Sequence, residues 1–168
     1  NGRRRQRQMC IRDRKYAESL SDSESELLAE IHKYTLSKVH QPRMISGHLQ
    51  GRFLSFVSRM VKPQNILEIG TYTGYSALCL AEGLRKKGRL ITIDRDKSLK
   101  EKVSKFFNKS IFKNQIDQKL GNAIDIIPKL KFNFDLIFID ADKKNYKNYF
   151  DSVLSLIHIS EPTRQSLI

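Results

Sequence analysis

The sequence lacks the hydrophobic segments that a membrane or secreted protein needs. Hydrophobic residues make up 39% of the chain, but they occur in runs of only a few residues. A membrane-spanning helix needs roughly 20 apolar residues in succession. No charged segment leads into an apolar stretch near the start, as a secretory signal would require. We therefore expect a cytoplasmic protein with no membrane partner.

Cysteine and histidine are also scarce. The two cysteines, Cys10 and Cys79, are too few for a disulfide framework and show no metal-binding spacing. The histidines are scattered without the spacing of metal ligands, which favours ordinary surface or packing roles. They are His32, His40, His48 and His158.

The chain is strongly basic, with a formal net charge of +13. Clustered Lys and Arg side chains are typical of proteins that bind nucleic acid. Much of the charge lies at one end, because the first fourteen residues contain six arginines and one aspartate, a net +5. Residues 15–153 keep a net charge of +8, which is basic but not extreme.

Both ends of the chain can be encoded by the same short DNA sequence, read on opposite strands. Residues 8–14 fit the codons CAG ATG TGT ATA AGA GAC AGR, and the reverse complement, read one base later, encodes residues 154–160. This DNA sequence resembles the transposase adapter used to prepare sequencing libraries. We therefore predict that 1–14 and 154–168 are adapter-like, non-native segments. We expect 15–153 to be an incomplete domain, although codon degeneracy leaves a genuine basic arm and terminal strand as an alternative.

Within 15–153, hydrophobic periodicity predicts helices that alternate with short apolar strands. Predicted helices cover 23–39, 47–61, 74–88, 98–110, 123–130 and 144–154. Predicted strands cover 65–70, 89–94, 116–121 and 134–140. Such alternation predicts a doubly wound α/β fold, in which helices cover both faces of a parallel sheet.

Residues that suit ligand binding follow the predicted strands. In an open α/β sheet, ligands bind beyond the carboxyl ends of the strands where the strand order reverses. Gly70 ends the first strand, Gly74 begins the next helix, and Asp94 ends the second strand, where a carboxylate can accept hydrogen bonds from ribose hydroxyls. The loop lacks the G-x-G-x-x-G pattern of dinucleotide sites, which favours S-adenosylmethionine. A tight turn without a ligand remains the alternative.

Several motifs occur in a specific order: "RMISGHLQG", "EIGTYTGYSALCLAEGL", "RLITID", "GNAIDIIPKL" and "FDLIFIDADKKNY". Together they resemble the cation-dependent class I O-methyltransferases, a family that includes the catechol and caffeoyl-CoA O-methyltransferases. The resemblance covers about residues 20–153. It implies a Rossmann-like methyltransferase fold whose last strands would be missing here.

The resemblance also implies a set of site residues. Lys143 would be the general base and Asp140 both a metal ligand and a cofactor contact. An unpaired buried carboxylate after the apolar run "LIFI" would be unfavourable, which supports a ligand role for Asp140. A solvated loop is the alternative for Asp142 and Lys144. The remaining cofactor contacts implied are Met44, Ser46, Glu68, Gly70, Tyr72, Ser76, Asp94, Asn122, Ala123 and Asp142.

The function implied by the resemblance is methyl transfer from S-adenosylmethionine to a hydroxyl of a small, catechol-like substrate, assisted by Mg²⁺ or another divalent cation. The charge of residues 15–153 leaves a tRNA hydroxyuridine as an alternative acceptor. A binding module without catalysis is a further alternative. The family's other metal ligands, an Asp-Asn pair, have no counterpart in this sequence. We also expect the whole protein to form a homodimer.

Overall fold

The computed structural model describes the backbone of residues 2–157 and the side chains of residues 11–157. The strands of this part of the chain are β1 (Asn65–Ile69), β2 (Arg89–Asp94), β3 (Ile116–Leu120) and β4 (Leu136–Ile139). Its α-helices are α1 (Gly2–Ser19), α2 (Glu26–Lys38), α3 (Gly47–Val61), α4 (Tyr75–Ala81), α5 (Lys97–Lys109), α6 (Ala123–Ile126) and α7 (Tyr146–Leu154). Short 3₁₀ turns cover Pro42–Met44, Ile127–Lys129 and Lys143–Asn145.

The four strands form one parallel sheet in the order β3-β2-β1-β4. Ile66 of β1 pairs with Leu90 of β2 on one side and with Leu136 of β4 on the other. The chain builds outward from β1 in one direction through β2 and β3, then returns to add β4 on the opposite side. The strand order therefore reverses between β1 and β4, which confirms the predicted doubly wound α/β fold and its switch point.

Alternate residues of the central strands face opposite sides of the sheet. Ile66 and Leu90 pack with side chains of α2, α3, α4 and α5 in one apolar cluster. Leu67 and Ile91 pack with side chains of α6 and α7 in a second cluster. Helices thus cover both faces, as the alternation of strands and helices predicted.

The helix predicted over 74–88 is wrong in its second half, because α4 ends at Ala81. Its end is fixed by α3. The Ser58 hydroxyl donates to the Leu80 carbonyl oxygen over 2.6 Å, and Arg52 donates to the Glu82 carboxylate over 2.7 Å. Gly83 then passes so close to the Ser58 backbone that a side chain there would overlap it. Packing against another helix, which local periodicity does not reveal, ends α4.

Two other predicted helices are shorter than expected. The segment predicted over 123–130 divides into α6 and a 3₁₀ turn, because Pro128 cannot donate the backbone hydrogen bond that an α-helix requires. The helix predicted over 144–154 begins with the 3₁₀ turn Lys143–Asn145, and α7 starts at Tyr146. Neither difference moves a predicted site residue to another element.

The strand β4 is also shorter than the predicted 134–140, and all four of its residues are half-buried. Before it, Asp135 leaves the strand pattern and its carboxylate accepts the backbone N–H groups of Gln64 and Asn65, over 2.8 and 2.9 Å. Phe134 forms an isolated parallel bridge with Ile157, where the Phe134 N–H donates to the Leu156 carbonyl oxygen over 2.7 Å.

The predicted adapter-like boundaries lie within regular elements in the described part of the chain. Helix α1 continues through residue 14, and α7 continues to Leu154. A helix says nothing about the origin of the DNA that encodes it, so the division into 1–14, 15–153 and 154–168 stays a prediction. Most of the predicted tail, residues 158–168, lies outside the described residues.

The described helices also bear on the membrane prediction. Among residues 2–157, no helix has the length and apolar character that crossing a membrane would require.

Candidate functional site

Two adjoining cavities lie at the carboxyl ends of the strands. The smaller has a volume of about 240 Å³ and is lined by the segment before α3, the loop after β1 and the residues after β4. The larger has a volume of about 630 Å³ and extends past the ends of β1 and β2 towards α6. Residues that line both cavities are Met44, Gly70, Tyr72, Asp140 and Ala141.

The loop between β1 and α4 is shaped by residues with positive φ angles. Gly70 has φ +107°, and a side chain at this position would overlap the carbonyl oxygen of Asp140. Tyr72 also has a positive φ of 47°, which is uncommon for a residue other than glycine. Its hydroxyl lies 3.1 Å from the carbonyl oxygen of Gln41. Tyr72 therefore connects the loop after β1 to the segment between α2 and α3.

Asp94 lies at the end of β2 and lines the larger cavity. One of its carboxylate oxygens accepts the backbone N–H of Tyr72 over 2.7 Å, and the other accepts the N–H of Asp96 over 2.9 Å. Each oxygen retains a second lone pair for another donor. The chain thus fixes the orientation of this carboxylate while leaving it able to accept hydrogen bonds from a ligand.

Glu68 of β1 is fully buried and lines neither cavity. The Thr92 hydroxyl donates to Glu68 Oε2 over 2.6 Å, and Thr71 Oγ1 lies 2.5 Å from Thr92 Oγ1. Either of the two threonine hydroxyl groups can be the donor in this second contact. Thr71 lines the smaller cavity, so a chain of hydroxyl groups joins the buried carboxylate to the cavity wall.

Burial raises the pKa of Glu68 to about 7. The nearby hydroxyl groups of Ser76 and Thr92 oppose this shift, and the negative charges of Asp140 and Asp94 reinforce it. Glu68 Oε1 has no hydrogen-bond partner among the described residues. A buried acceptor of this kind suits a donor or cation supplied by a ligand.

Asp140, after β4, lines both cavities but is exposed. The expectation that its carboxylate is buried was wrong, because β4 is an edge strand of the described sheet and its residues are only half-buried. That part of the chain also contains no group of three His, Cys, Asp or Glu side chains placed to hold a metal ion. The metal role of Asp140 stays a prediction, without the support of burial.

Asp142 and Lys143 follow in the same segment and line different cavities. Asp142 lines the larger cavity, and Tyr149 and Asn145 donate hydrogen bonds to its two carboxylate oxygens. Lys143 is exposed and lines the smaller cavity. Lys144 lines neither cavity, in keeping with a solvated loop position. Asp142, by contrast, is held by specific partners.

The structure brings the predicted site residues together, with one exception. Glu68 lies behind the wall rather than on it. Predicted residues that line the smaller cavity are Met44, Ser46, Gly70, Tyr72, Ser76, Asp140 and Lys143. Those that line the larger cavity are Met44, Gly70, Tyr72, Asp94, Asn122, Ala123, Asp140 and Asp142. These placements agree with binding roles, while the roles themselves stay predictions.

Sequence reasoning missed several residues at the site. Thr71 and Tyr146 line the smaller cavity, and Tyr34, His40 and Tyr149 line the larger one. Thr71 lies inside the loop motif that was already identified, so its hydroxyl was a visible signal. The α2 contribution depends on how that helix packs over the strand ends, and no local pattern indicates it.

The fold and its strand-end cavities define a Rossmann-like α/β protein with a candidate site at the topological switch point. Comparisons with known proteins are specific about the family. The O-methyltransferase family model matches residues 18–161. A catechol O-methyltransferase from Niastella koreensis is 37% identical over 126 residues, which cover 73% of this chain and 57% of the relative.

Solved structures give the same result. An SAH-bound methyltransferase from Podospora anserina superposes with a TM-score of 0.83 at 31% identity, covering 89% of this chain and 64% of that one. An O-methyltransferase from Streptomyces achromogenes, involved in tomaymycin synthesis and solved with SAM, gives a TM-score of 0.79 at 32% identity, covering 84% and 65%.

The chain belongs to the O-methyltransferase family, as its motifs predicted. It spans less than two thirds of the length of each of these three relatives.

Proposed function

We propose that the whole protein is an S-adenosylmethionine-dependent O-methyltransferase that acts on a hydroxyl group of a small, catechol-like substrate. Family membership and the SAM- or SAH-bound related structures support this proposal. The observation that carries it is the meeting of two cavities at the ends of β1 and β4. A cofactor that fills the larger cavity and extends past Gly70 towards Ser46 and Ser76 would meet an acceptor beside Lys143 in the smaller one.

The residues present fit the proposed cofactor. Glu68 Oε1 is a buried acceptor without a partner among the described residues, and the hydroxyl groups of Thr92 and Thr71 would connect it to a cofactor at the cavity wall. Gly70 keeps the wall free of a side chain where the two cavities meet. Asp94 retains lone pairs for ribose hydroxyls, and Asn122 and Ala123 flank the region left for the adenine.

The residues of this chain would bind and orient the reactants. When bound, S-adenosylmethionine supplies a methyl group on a positively charged sulfur, which an oxygen nucleophile can displace. Lys143 lines the acceptor cavity, where its Nζ, once it has lost its own proton, would take the proton of the acceptor hydroxyl. Tyr72 joins the loop after β1 to the segment before α3, and a fixed wall of this kind helps to hold the reacting groups in line.

Assistance by Mg²⁺ or another divalent cation is part of the proposal for the whole protein, although the described residues do not by themselves fit a metal site. Mg²⁺ requires an octahedral shell of oxygen ligands, and Asp140 offers one carboxylate. Residues 11–157 hold no group of three candidate ligands. We therefore keep Asp140 as a candidate metal ligand and derive no reaction step through a metal.

The proposed activity is tested by incubating the whole protein with S-adenosylmethionine and catechol and measuring methylated product. We expect product, and we expect Lys143→Met to lower kcat about 100-fold without changing the Kd for S-adenosylmethionine. Lys144→Met is the matched control, because Lys144 is exposed and lines neither cavity. Absence of product, or equal effects of the two substitutions, would contradict the proposed activity or the role of Lys143.

Methylation of a tRNA hydroxyuridine is a second candidate function, supported by basic side chains at the cavities. Lys38 and Arg95 line the larger cavity and Lys143 the smaller one, and all three are exposed. Such groups attract phosphate, and the attraction weakens as salt is added. Methylated tRNA with no methylated catechol, together with salt-sensitive tRNA binding, would favour this candidate. Retained S-adenosylmethionine affinity without methylation of either acceptor would indicate a binding module instead.

A homodimer is proposed for the whole protein on the strength of α3. Its residues Phe53, Phe56 and Met60 lie on one face and are 63%, 58% and 69% exposed. Apolar faces of this kind are common at interfaces between subunits. Light scattering should give twice the mass of one chain, and a mass that falls after Phe56→Ser would place the interface on α3.

A further inference from the structure

Asp142 occupies a helix N-cap position but does not cap the helix. It precedes the 3₁₀ turn Lys143–Asn145, and its side chain makes no capping hydrogen bond to the backbone of that turn. Aspartate at this position ordinarily accepts a backbone N–H two or three residues ahead. Here both carboxylate oxygens are held by side chains instead.

The two oxygens accept hydrogen bonds from Tyr149 and Asn145, which both follow Asp142 in the sequence. The Tyr149 hydroxyl donates to Asp142 Oδ1 over 2.6 Å, and Asn145 Nδ2 donates to Asp142 Oδ2 over 2.5 Å. Asn148 Nδ2 in turn donates to Asn145 Oδ1 over 3.1 Å. This third contact occupies the Asn145 Oδ1 acceptor, so the Nδ2 donor end of the amide points to Asp142.

The ring of Tyr149 is anchored independently of its hydroxyl. It is 5% exposed and belongs to the apolar cluster between the sheet and α7. Burial and the contact with Asp142 raise the pKa of Tyr149 to about 12, so the hydroxyl remains a proton donor at neutral pH. A rigid ring thus presents one donor at a fixed point.

The carboxylate that this donor holds lines the larger cavity, in the region that Asn122 and Ala123 also line. Each of its oxygens uses one lone pair for its partner in the chain and keeps one for a ligand donor. Fixing such an acceptor before binding avoids the loss of side-chain freedom when the ligand arrives.

We infer that Tyr149 is a positioning residue for cofactor binding, which acts by orienting the Asp142 carboxylate towards N–H or O–H donors of the nucleoside cofactor. This inference rests on the proposed function, since it takes S-adenosylmethionine as the ligand of the larger cavity. It assigns no role to Tyr149 in the transfer of the methyl group.

The test is a double-mutant cycle on the 168-residue chain, measured as the Kd for S-adenosylmethionine by calorimetry. Tyr149→Phe keeps the buried ring and removes only the hydroxyl, and we expect about fivefold to tenfold weaker binding. In the Asp142→Ala background, the same substitution should change the Kd by less than about twofold, because the group through which Tyr149 acts is gone. The matched control is Tyr16→Phe, since Tyr16 is 69% exposed on α1 and lines neither cavity.

An unchanged Kd for Tyr149→Phe, or an equal loss in the presence and absence of the Asp142 carboxylate, would overturn the inference. A merely structural role would lower the melting temperature and weaken binding equally in both backgrounds. If the unsubstituted chain binds no S-adenosylmethionine, the assignment of the larger cavity to the cofactor fails for this chain, whereas the product assay decides the activity of the whole protein. In that case a crystal structure of Tyr149→Phe still decides whether the hydroxyl orients Asp142, because an unmoved carboxylate would contradict the positioning role.

Discussion

The two halves of the candidate site differ in how firmly the chain holds their polar groups. In the cofactor half, at the ends of β1 and β2, the strands are buried and the Asp94 carboxylate accepts two backbone N–H groups. In the metal half, at the end of β4, the strand is half-buried and Asp140 is exposed. The described residues therefore orient polar groups for a cofactor, whereas they offer a metal ion only the Asp140 carboxylate.

The boundary between the halves is Gly70, and its substitution should have the largest effect. Gly70→Ala places a side chain at φ +107° that overlaps the Asp140 carbonyl oxygen. We expect the free energy of unfolding to fall by about 3 kcal/mol and S-adenosylmethionine binding to become undetectable. Urea unfolding and calorimetry measure the two effects.

The control for this substitution is Gly47→Ala. It measures the cost of a positive φ angle at alanine without the overlap between the added side chain and a neighbouring atom. Gly47 also has a positive φ of +71°, but the nearest atom to an added side chain is 3.6 Å away. We expect a loss of about 1 kcal/mol there. Equal losses at both positions would show that the close approach of β1 and β4 is unimportant.

Asp94→Ala tests whether the cofactor half depends on its acidic residue. Loss of the acceptor should weaken S-adenosylmethionine binding by about 1–3 kcal/mol, measured by calorimetry. Asp117→Asn is the control, because Asp117 is a half-buried residue of β3 that pairs with Lys119 and lines neither cavity. Unchanged affinity after Asp94→Ala would mean that the ribose does not bind at the end of β2.

Glu68 gives the cofactor half a pH dependence. Its pKa is raised by burial to about 7, so its favourable contribution to stability is present at acidic pH and is lost as the pH rises towards 7. Glutamine stays neutral, so Glu68→Gln should gain about 2–3 kcal/mol in unfolding free energy over the unsubstituted chain between about pH 5 and about pH 8. Urea unfolding at both pH values measures this gain.

Glu101→Gln is the control of opposite sign. Glu101 is exposed, and its hydrogen bond to Lys105 lowers its pKa. Neutralising it should remove a small favourable contribution at the higher pH. The prediction fails if the unfolding free energy of Glu68→Gln falls relative to that of the unsubstituted chain as the pH rises. That result would mean that the charged Glu68 carboxylate is stabilised in the folded chain.

Asp140→Ala should have the smallest effect on cofactor affinity. Because an exposed carboxylate is screened by solvent, we expect the Kd for S-adenosylmethionine to change by less than about twofold. In the whole protein the same substitution should remove the dependence of turnover on a divalent metal. Full activity of the unsubstituted whole protein in EDTA would contradict the proposed metal assistance.

The cofactor half was predictable because its signals are local. Short apolar runs predicted β1 and β2, and the residues at their carboxyl ends, Gly70 and Asp94, had to lie at one edge of a parallel sheet. The fold class required only the alternation of strands and helices. Residues selected through the family motifs, such as Asn122, then fell on the same cavities.

Features that depend on neighbouring elements were not predictable. Helix α4 ends early because Ser58 and Arg52 of α3 bond its last turn and the following residue. The exposure of Asp140 depends on what lies beside β4, which the apolar run "LIFI" cannot reveal. The contact between Thr71 and Thr92 depends on the pairing of β1 with β2.

The most direct test is a calorimetric titration of the 168-residue chain with S-adenosylmethionine. It asks whether the cofactor half binds its ligand without a metal ion in the metal half. The titration is run once with excess Mg²⁺ and once with EDTA. We expect saturable binding with the same Kd in both conditions. Binding only in the presence of Mg²⁺, or no binding in either condition, would contradict it.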